Sequence, residues 1–109
     1  MPEPLKYVVL RHDGVTDPHF DLMLETKTGS DLATWRVDNW PLQADSTFIP
    51  LRPHRRAYLQ YEGLISADRG QVHRIHAGQH VVEEDSAEHL IVRLENGQRI
   101  VLPRKPTSE

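Results

Sequence analysis

No stretch of this chain keeps apolar residues at a helical spacing for even about 11 residues, which argues against a helical core. Short runs instead alternate apolar and polar side chains, and each run stops at Gly, Pro, Asn or Asp. A period of two turns one face of an extended strand into a core and leaves the other face outside. Roughly seven such runs at this spacing predict a mainly all-β fold. The expected form is a small antiparallel β-barrel with one long connecting loop, or a sandwich of the same strands.

The runs can be placed in order. Leu5 to Arg11 is rich in β-branched and aromatic residues, and Asp13-Gly14 and Asp17-Pro18 break it. From His19 to Glu25, Phe20, Leu22 and Leu24 alternate with His19, Asp21, Met23 and Glu25. Leu32 to Val37 reads as a strand holding Trp35. Asp38 to Pro53, with three prolines, reads as the long loop. Arg56 to Glu62 alternates again and is expected to be a strand. Gln71 to Ile75 and His80 to Glu84 are expected to be two strands joined by a turn at Ala77-Gly78. In HLIVRLENGQRIVL, Asn96-Gly97 is expected to supply the two positive-φ residues of a type I′ hairpin.

A chain of 109 residues with no break in composition is expected to form one domain over residues 1–109, its core within 5–104 and a frayed tail at 105–109. The absence of cysteine excludes disulfides and thiolate metal sites and fits a cytoplasmic location. No apolar run approaches the roughly 20 residues of a membrane helix, and the N-terminus does not resemble a signal peptide. A net charge of −3 excludes a globally basic nucleic-acid binder, so any such contact must rest on a local patch.

Seven histidines are many for this length, and histidine is the commonest metal ligand. His19 and Asp21 share one face of their strand, and a short connection would bring His12 beside them. Two imidazoles and a carboxylate with open positions suit Mn²⁺, Zn²⁺ or Fe²⁺. A solvated polar face explains the same letters. A second cluster is Arg52, His54, Arg56 and Tyr58, where arginine offers paired donors to phosphate oxygens and His and Tyr can donate protons. An ordinary basic edge that discourages strand aggregation explains these residues as well. His73, His76 and His80 are read as surface or supporting residues, Trp35 and Trp40 as core or loop anchors, and His89 carries no signal.

Taken in order, these clusters resemble the 3′-phosphoesterase domain attached to bacterial DNA ligase D, which also occurs as stand-alone proteins. The matching motifs are His12, then His19-Phe20-Asp21-Leu22-Met23-Leu24-Glu25, the Trp35 strand, His54-Arg55-Arg56-Ala57-Tyr58, Tyr61-Glu62-Gly63, Gly70-Gln71-Val72 with Gly78, and Leu102-Pro103-Arg104. The resemblance spans Tyr7 to Arg104. It implies a small β-barrel and a Mn²⁺-dependent enzyme, with another divalent metal such as Zn²⁺ as the alternative. It further implies that His12, His19 and Asp21 hold the metal and that His54, with Tyr58 nearby, contacts the scissile phosphate. Arg52 and Arg56 then join the substrate-binding set.

The implied activity is trimming of nucleic-acid 3′ ends in DNA repair: removal of a terminal ribonucleoside, then of the 3′-phosphate. A ligase or repair partner would use the 3′-OH that results. The sequence also departs from the family pattern. The gap from His12 to His19 is one residue longer than usual, Met23 stands where the family has arginine, and residues 38–50 contain no Lys or Arg. Six residues precede Tyr7, where the family often carries an arm that touches substrate. Diesterase action is therefore expected to suffer more than phosphate removal. The alternatives are a catalytically weakened module that binds nucleic-acid ends or a repair partner, and a phosphoesterase for a small phosphorylated molecule.

Overall fold

Tyr7, Val8, Val9 and Leu10 form an unbroken apolar run, and all four are buried. A strand with both faces buried needs cover on both sides. A computed structural model describes residues 4–64 and 70–104 and shows where that cover comes from. The strands are β1 (Leu5–Asp13), β2 (His19–Glu25), β3 (Leu32–Val37), β4 (Phe48–His54), β5 (Gly63–Leu64), β6 (Gln71–Asp85), β7 (His89–Leu94) and β8 (Arg99–Pro103). They form one antiparallel sheet in the order β4-β3-β2-β1-β6-β7-β8, with β5 paired to β6. The fold is all-β, as expected, and the sheet curls into a half-barrel that brings edge strands β4 and β8 towards each other. Trp35 bridges that approach by donating its Nε1–H to the Pro103 carbonyl at 2.5 Å. Among the described residues no helix is long and apolar enough to cross a membrane.

The inner face of the curl holds the larger core: Tyr7, Val9, Leu22, Leu24, Trp35, Val37, and Leu90, Val92, Leu94, Ile100 and Leu102 of β7 and β8. Each fully buried Leu or Val there contributes roughly 1.5–3 kcal/mol. The opposite face holds a smaller core of Val8, Leu10, Met23, Leu32 and Val72. Its roof is the chain crossing from edge strand β4, over β2 and β1, towards β6. Tyr58 and Leu59 in that crossing pack down onto it.

This crossing overturns one expectation. Arg56–Leu59 is a 3-10 turn and not the start of a strand, closed by Tyr58 N–H donating to Arg55 O at 3.1 Å and Gln60 N–H donating to Ala57 O at 3.0 Å. Successive strand residues point to opposite sides, whereas Tyr58 and Leu59 must both face the smaller core. The long loop is also shorter than expected, because Phe48–His54 is strand β4. Pro50 and Pro53 are tolerated there because an edge strand leaves one side of its backbone unpaired.

Two other expectations fail at glycines. Gly78 makes no turn: Gln71–Asp85 is one continuous strand. A Cβ at Gly78 would lie 1.8 Å from Glu95 Oε1 and 2.8 Å from Tyr7 Cε1, so the glycine leaves room for those side chains. The β7–β8 connection is not the two-residue turn expected of Asn96-Gly97. Gly97 N–H donates to Leu94 O at 2.9 Å and Leu94 N–H to Gln98 O at 2.8 Å, with Gly97 at φ +90°. This is the pattern of a three-residue loop ending in a left-handed glycine. The tail at 105–109 lies outside the described residues.

The end of β2 carries a buried ionic hub. Glu25 is 4% exposed, and its carboxylate accepts from Lys6 N–H at 2.8 Å, Gly29 N–H at 3.4 Å and the Arg56 guanidinium. Burial pushes the Glu25 carboxyl up, but the Arg56 and backbone donors pull harder and hold it below its usual range. A carboxylate depressed on folding stabilises the protein above its unfolded pKa, near 4.5, and loses that contribution as pH falls through the folded value. Arg56→Ala is therefore expected to cost roughly 1–3 kcal/mol at pH 7, discounted because the arginine end is screened by solvent. Urea titrations should also show wild type losing more stability than the variant below pH 4.5.

Candidate functional site

The β1–β2 hairpin sets the site. His12 and His19 are directly opposed across the ladder, and the residues between them form the connection, so the longer gap does not take His12 out of register. Asp21 follows His19 on the same strand face. Its Oδ1 lies 3.2 Å from His19 Nε2, and its Oδ2 lies 3.8 Å from His12 Nδ1. One ligand atom from each of the three residues falls within 4.8 Å of the others. This face was the one a solvated reading would leave outside. It is covered instead, and Asp21 is 4% exposed.

The hydrogen bonds around the three residues fit a cation. His19 Nδ1 stands 2.8 Å from the Asp17 carbonyl, which can only accept. Nδ1 therefore donates to that carbonyl, and Nε2 is the nitrogen turned towards Asp21. Metal-ligating histidines are typically fixed this way by an acceptor on their other nitrogen. Asp17 is in turn held by Arg36, through its carboxylate and through its carbonyl at 3.3 Å. Among the described residues Asp21 Oδ1 is buried with no hydrogen-bond partner, although His19 Nε2 stands 3.2 Å away. A buried oxygen left in that state costs about 1–3 kcal/mol or more. Burial raises the Asp21 carboxyl above its usual range, against the opposing pull of His19, His12, His54 and Arg36. A cation between the three residues would relieve both problems, so these residues fit a metal.

A cleft of about 610 Å³ opens beside them, and His12, Asp21, Met23, His54 and Tyr58 all line it. His54 ends β4, and its Nδ1 lies 3.0 Å from both the Arg52 carbonyl and Thr34 Oγ1. Thr34 donates its own proton to Leu32 O at 3.0 Å, so its oxygen accepts from His54. Both contacts place the proton on Nδ1 and leave Nε2 as the working nitrogen. Tyr58 packs edge-on to His54 with ring centroids 5.6 Å apart, and Tyr61 packs edge-on to Tyr58 at 5.8 Å.

Of the residues singled out in the sequence, His12, Asp21, His54 and Tyr58 line one cleft, and His19 stands beside it, 3.2 Å from Asp21. Arg52 is exposed and does not line that cleft, although its carbonyl orients His54. Arg56 turns away to Glu25 and borders a second, smaller groove with Lys6. Met23 lines the cleft while buried in the smaller core. Arg55, Tyr61, Thr34 and Asp17 were not anticipated. Arg55 and Tyr61 reach the cleft because the 3-10 turn breaks the assumed alternation, and Thr34 is visible only as the cross-strand partner of Met23.

The remaining histidines do not converge. His76 stacks between Tyr7 and Trp40, with centroids 5.6 and 5.4 Å away. His80 is buried and donates Nε2–H to Glu25 O at 2.7 Å, burial holding its pKa below the usual value. His89 pairs with Glu84 at 2.6 Å. A scan against protein-family models and a search of curated proteins each returned no match to this chain.

Proposed function

We propose that this protein is a divalent-metal-dependent phosphoesterase acting on nucleic-acid 3′ ends. It would remove a 3′-phosphate, a 3′-terminal ribonucleoside, or both, in DNA repair. The observation that carries this reading is the meeting of two groups at one cleft: a two-histidine, one-carboxylate set with an unsatisfied buried oxygen, and a histidine oriented at Nδ1. The resemblance to the ligase D phosphoesterase domain supplies the substrate class.

His12, His19 and Asp21 would hold the ion, which supplies charge neutralisation at a non-bridging phosphoryl oxygen. Mn²⁺ is the assignment we favour, and Zn²⁺ suits the same donors. When protonated, His54 donates from Nε2 to the departing 3′-oxygen or to the developing phosphoryl charge. In the monoesterase reaction the P–O bond to the 3′-oxygen breaks, water supplies the new oxygen on phosphorus and gives up a proton, and the leaving oxygen gains a proton to become the 3′-OH. Tyr58, edge-on to His54, restrains the imidazole and adds a hydroxyl to the cleft. The 3′-OH is the end that a ligase or polymerase requires, so a repair partner is the natural consumer.

One observation favours a weaker relative of this activity. Met23 is 1% exposed and apolar at the place where a phosphate-clamping cation would help. A binding module for nucleic-acid ends or a repair partner, with catalysis reduced, is the second reading. Incubation of a 3′-phosphorylated primer with Mn²⁺ separates the two. The enzyme releases inorganic phosphate, chelator stops it, and His54→Ala reduces it. Primer binding without any release, across several divalent metals, supports the module.

A further inference from the structure

We propose that Arg55 is the cation that selects a terminal phosphate monoester at this cleft, an inference that rests on the phosphoesterase reading. Arg55 lines the cleft with His12, Asp21 and His54. It is exposed, and its side chain has no hydrogen bond or ion pair among the described residues. Apart from Arg52, every other described arginine is committed to a carboxylate or carbonyl. Arg55 is thus the only arginine lining the cleft among the described residues, and its donors are uncommitted.

Its backbone is also well defined. Arg55 is extended at φ −68° and ψ 146°, immediately before the 3-10 turn, and its carbonyl accepts the turn's Tyr58 N–H at 3.1 Å. Its neighbour His54 is fixed by Thr34 and the Arg52 carbonyl. The side chain therefore extends from a fixed point on the rim while the guanidinium fork stays free to close on a ligand.

Charge decides which ligand suits it. A divalent ion less the Asp21 charge leaves about +1 in the site, whereas a terminal phosphate monoester brings about −1.5 to −2 at neutral pH. Arg55 makes up the difference and offers two parallel donors to two phosphate oxygens. An internal diester carries only about −1 and has fewer free oxygens, so it gains less. Arg55 accordingly biases the site towards removal of a 3′-phosphate over cleavage of a terminal nucleoside. It also takes the part that Met23 cannot play.

The test uses a fluorescently labelled oligodeoxynucleotide ending in 3′-phosphate and the same oligonucleotide ending in 3′-OH. Both are bound to Mn²⁺-loaded protein, and binding is read by stopped-flow anisotropy before turnover. Wild type should prefer the 3′-phosphate end, Arg55→Ala should lose that preference by about tenfold, and Arg52→Ala should keep it. Arg55→Lys should retain the charge but only part of the preference, because the fork is gone. An unchanged preference in Arg55→Ala, an equal loss in Arg52→Ala, or no preference in wild type overturns the assignment. Phosphate release with Mn²⁺ is scored separately. An Arg55-dependent preference without any release overturns the esterase reading alone, and release without the preference overturns the Arg55 assignment alone.

Discussion

His19→Ala and Asp21→Ala should each abolish specific Mn²⁺ uptake, weakening it at least a hundredfold. Each substitution removes one of only three protein ligands, and a divalent ion held by two groups exchanges readily with water. Calorimetric titration would measure the affinity, and stability offers an independent readout. At free Mn²⁺ of one hundred times Kd, wild type should gain about 2.7 kcal/mol against urea, and neither variant should gain. The metal-free proteins should behave in the opposite sense. Asp21 is a carboxylate buried among imidazoles with one oxygen unsatisfied, and burial favours its protonated form. Asp21→Asn should therefore leave metal-free stability unchanged or raise it by up to about 1–3 kcal/mol. A residue kept for the fold alone would show a loss. Uptake equal in wild type and both alanine variants would remove the metal site from the account.

His54→Ala should lower kcat for release of phosphate from a 3′-phosphorylated primer by about 10²–10⁴-fold, the usual range for a positioned general acid. Mn²⁺ affinity should change little, because His54 is not among the three clustered ligands. Thr34→Val gives a graded counterpart. It removes the acceptor 3.0 Å from His54 Nδ1 but leaves the Arg52 carbonyl in place. Its kcat should fall by less than that of His54→Ala, with KM nearly constant, since the imidazole stays in the cleft but is less well oriented. A release rate unaltered by loss of His54 would show that the proton comes from elsewhere.

The parts of the fold visible in the sequence were those set by local pattern. The β2 alternation placed His19 and Asp21 on one face, and the short connection after β1 brought His12 across from His19. The β7–β8 hairpin was equally plain, although its turn has three residues because Leu94, and not Glu95, closes it against Gln98. What was hidden depended on contacts between distant segments. Pro50 and Pro53 disguised β4, because only its place at the sheet edge makes them acceptable. Gly78 looked like a turn and instead clears space for Tyr7 and Glu95. The crossing over β2 was the largest omission. It buries a face that looked solvated, turns Arg56 towards Glu25 and presents Arg55 to the cleft.

Crystals soaked with Mn²⁺ and a phosphate-like oxyanion such as vanadate would test whether His12, His19 and Asp21 hold a metal whose phosphoryl ligand reaches His54. One Mn²⁺ should be bound by all three residues, identified by its anomalous signal, with the oxyanion beside it and within hydrogen-bond reach of His54 Nε2. Mn²⁺ bound elsewhere, or an oxyanion that sits in the cleft without touching the metal or His54, would contradict it.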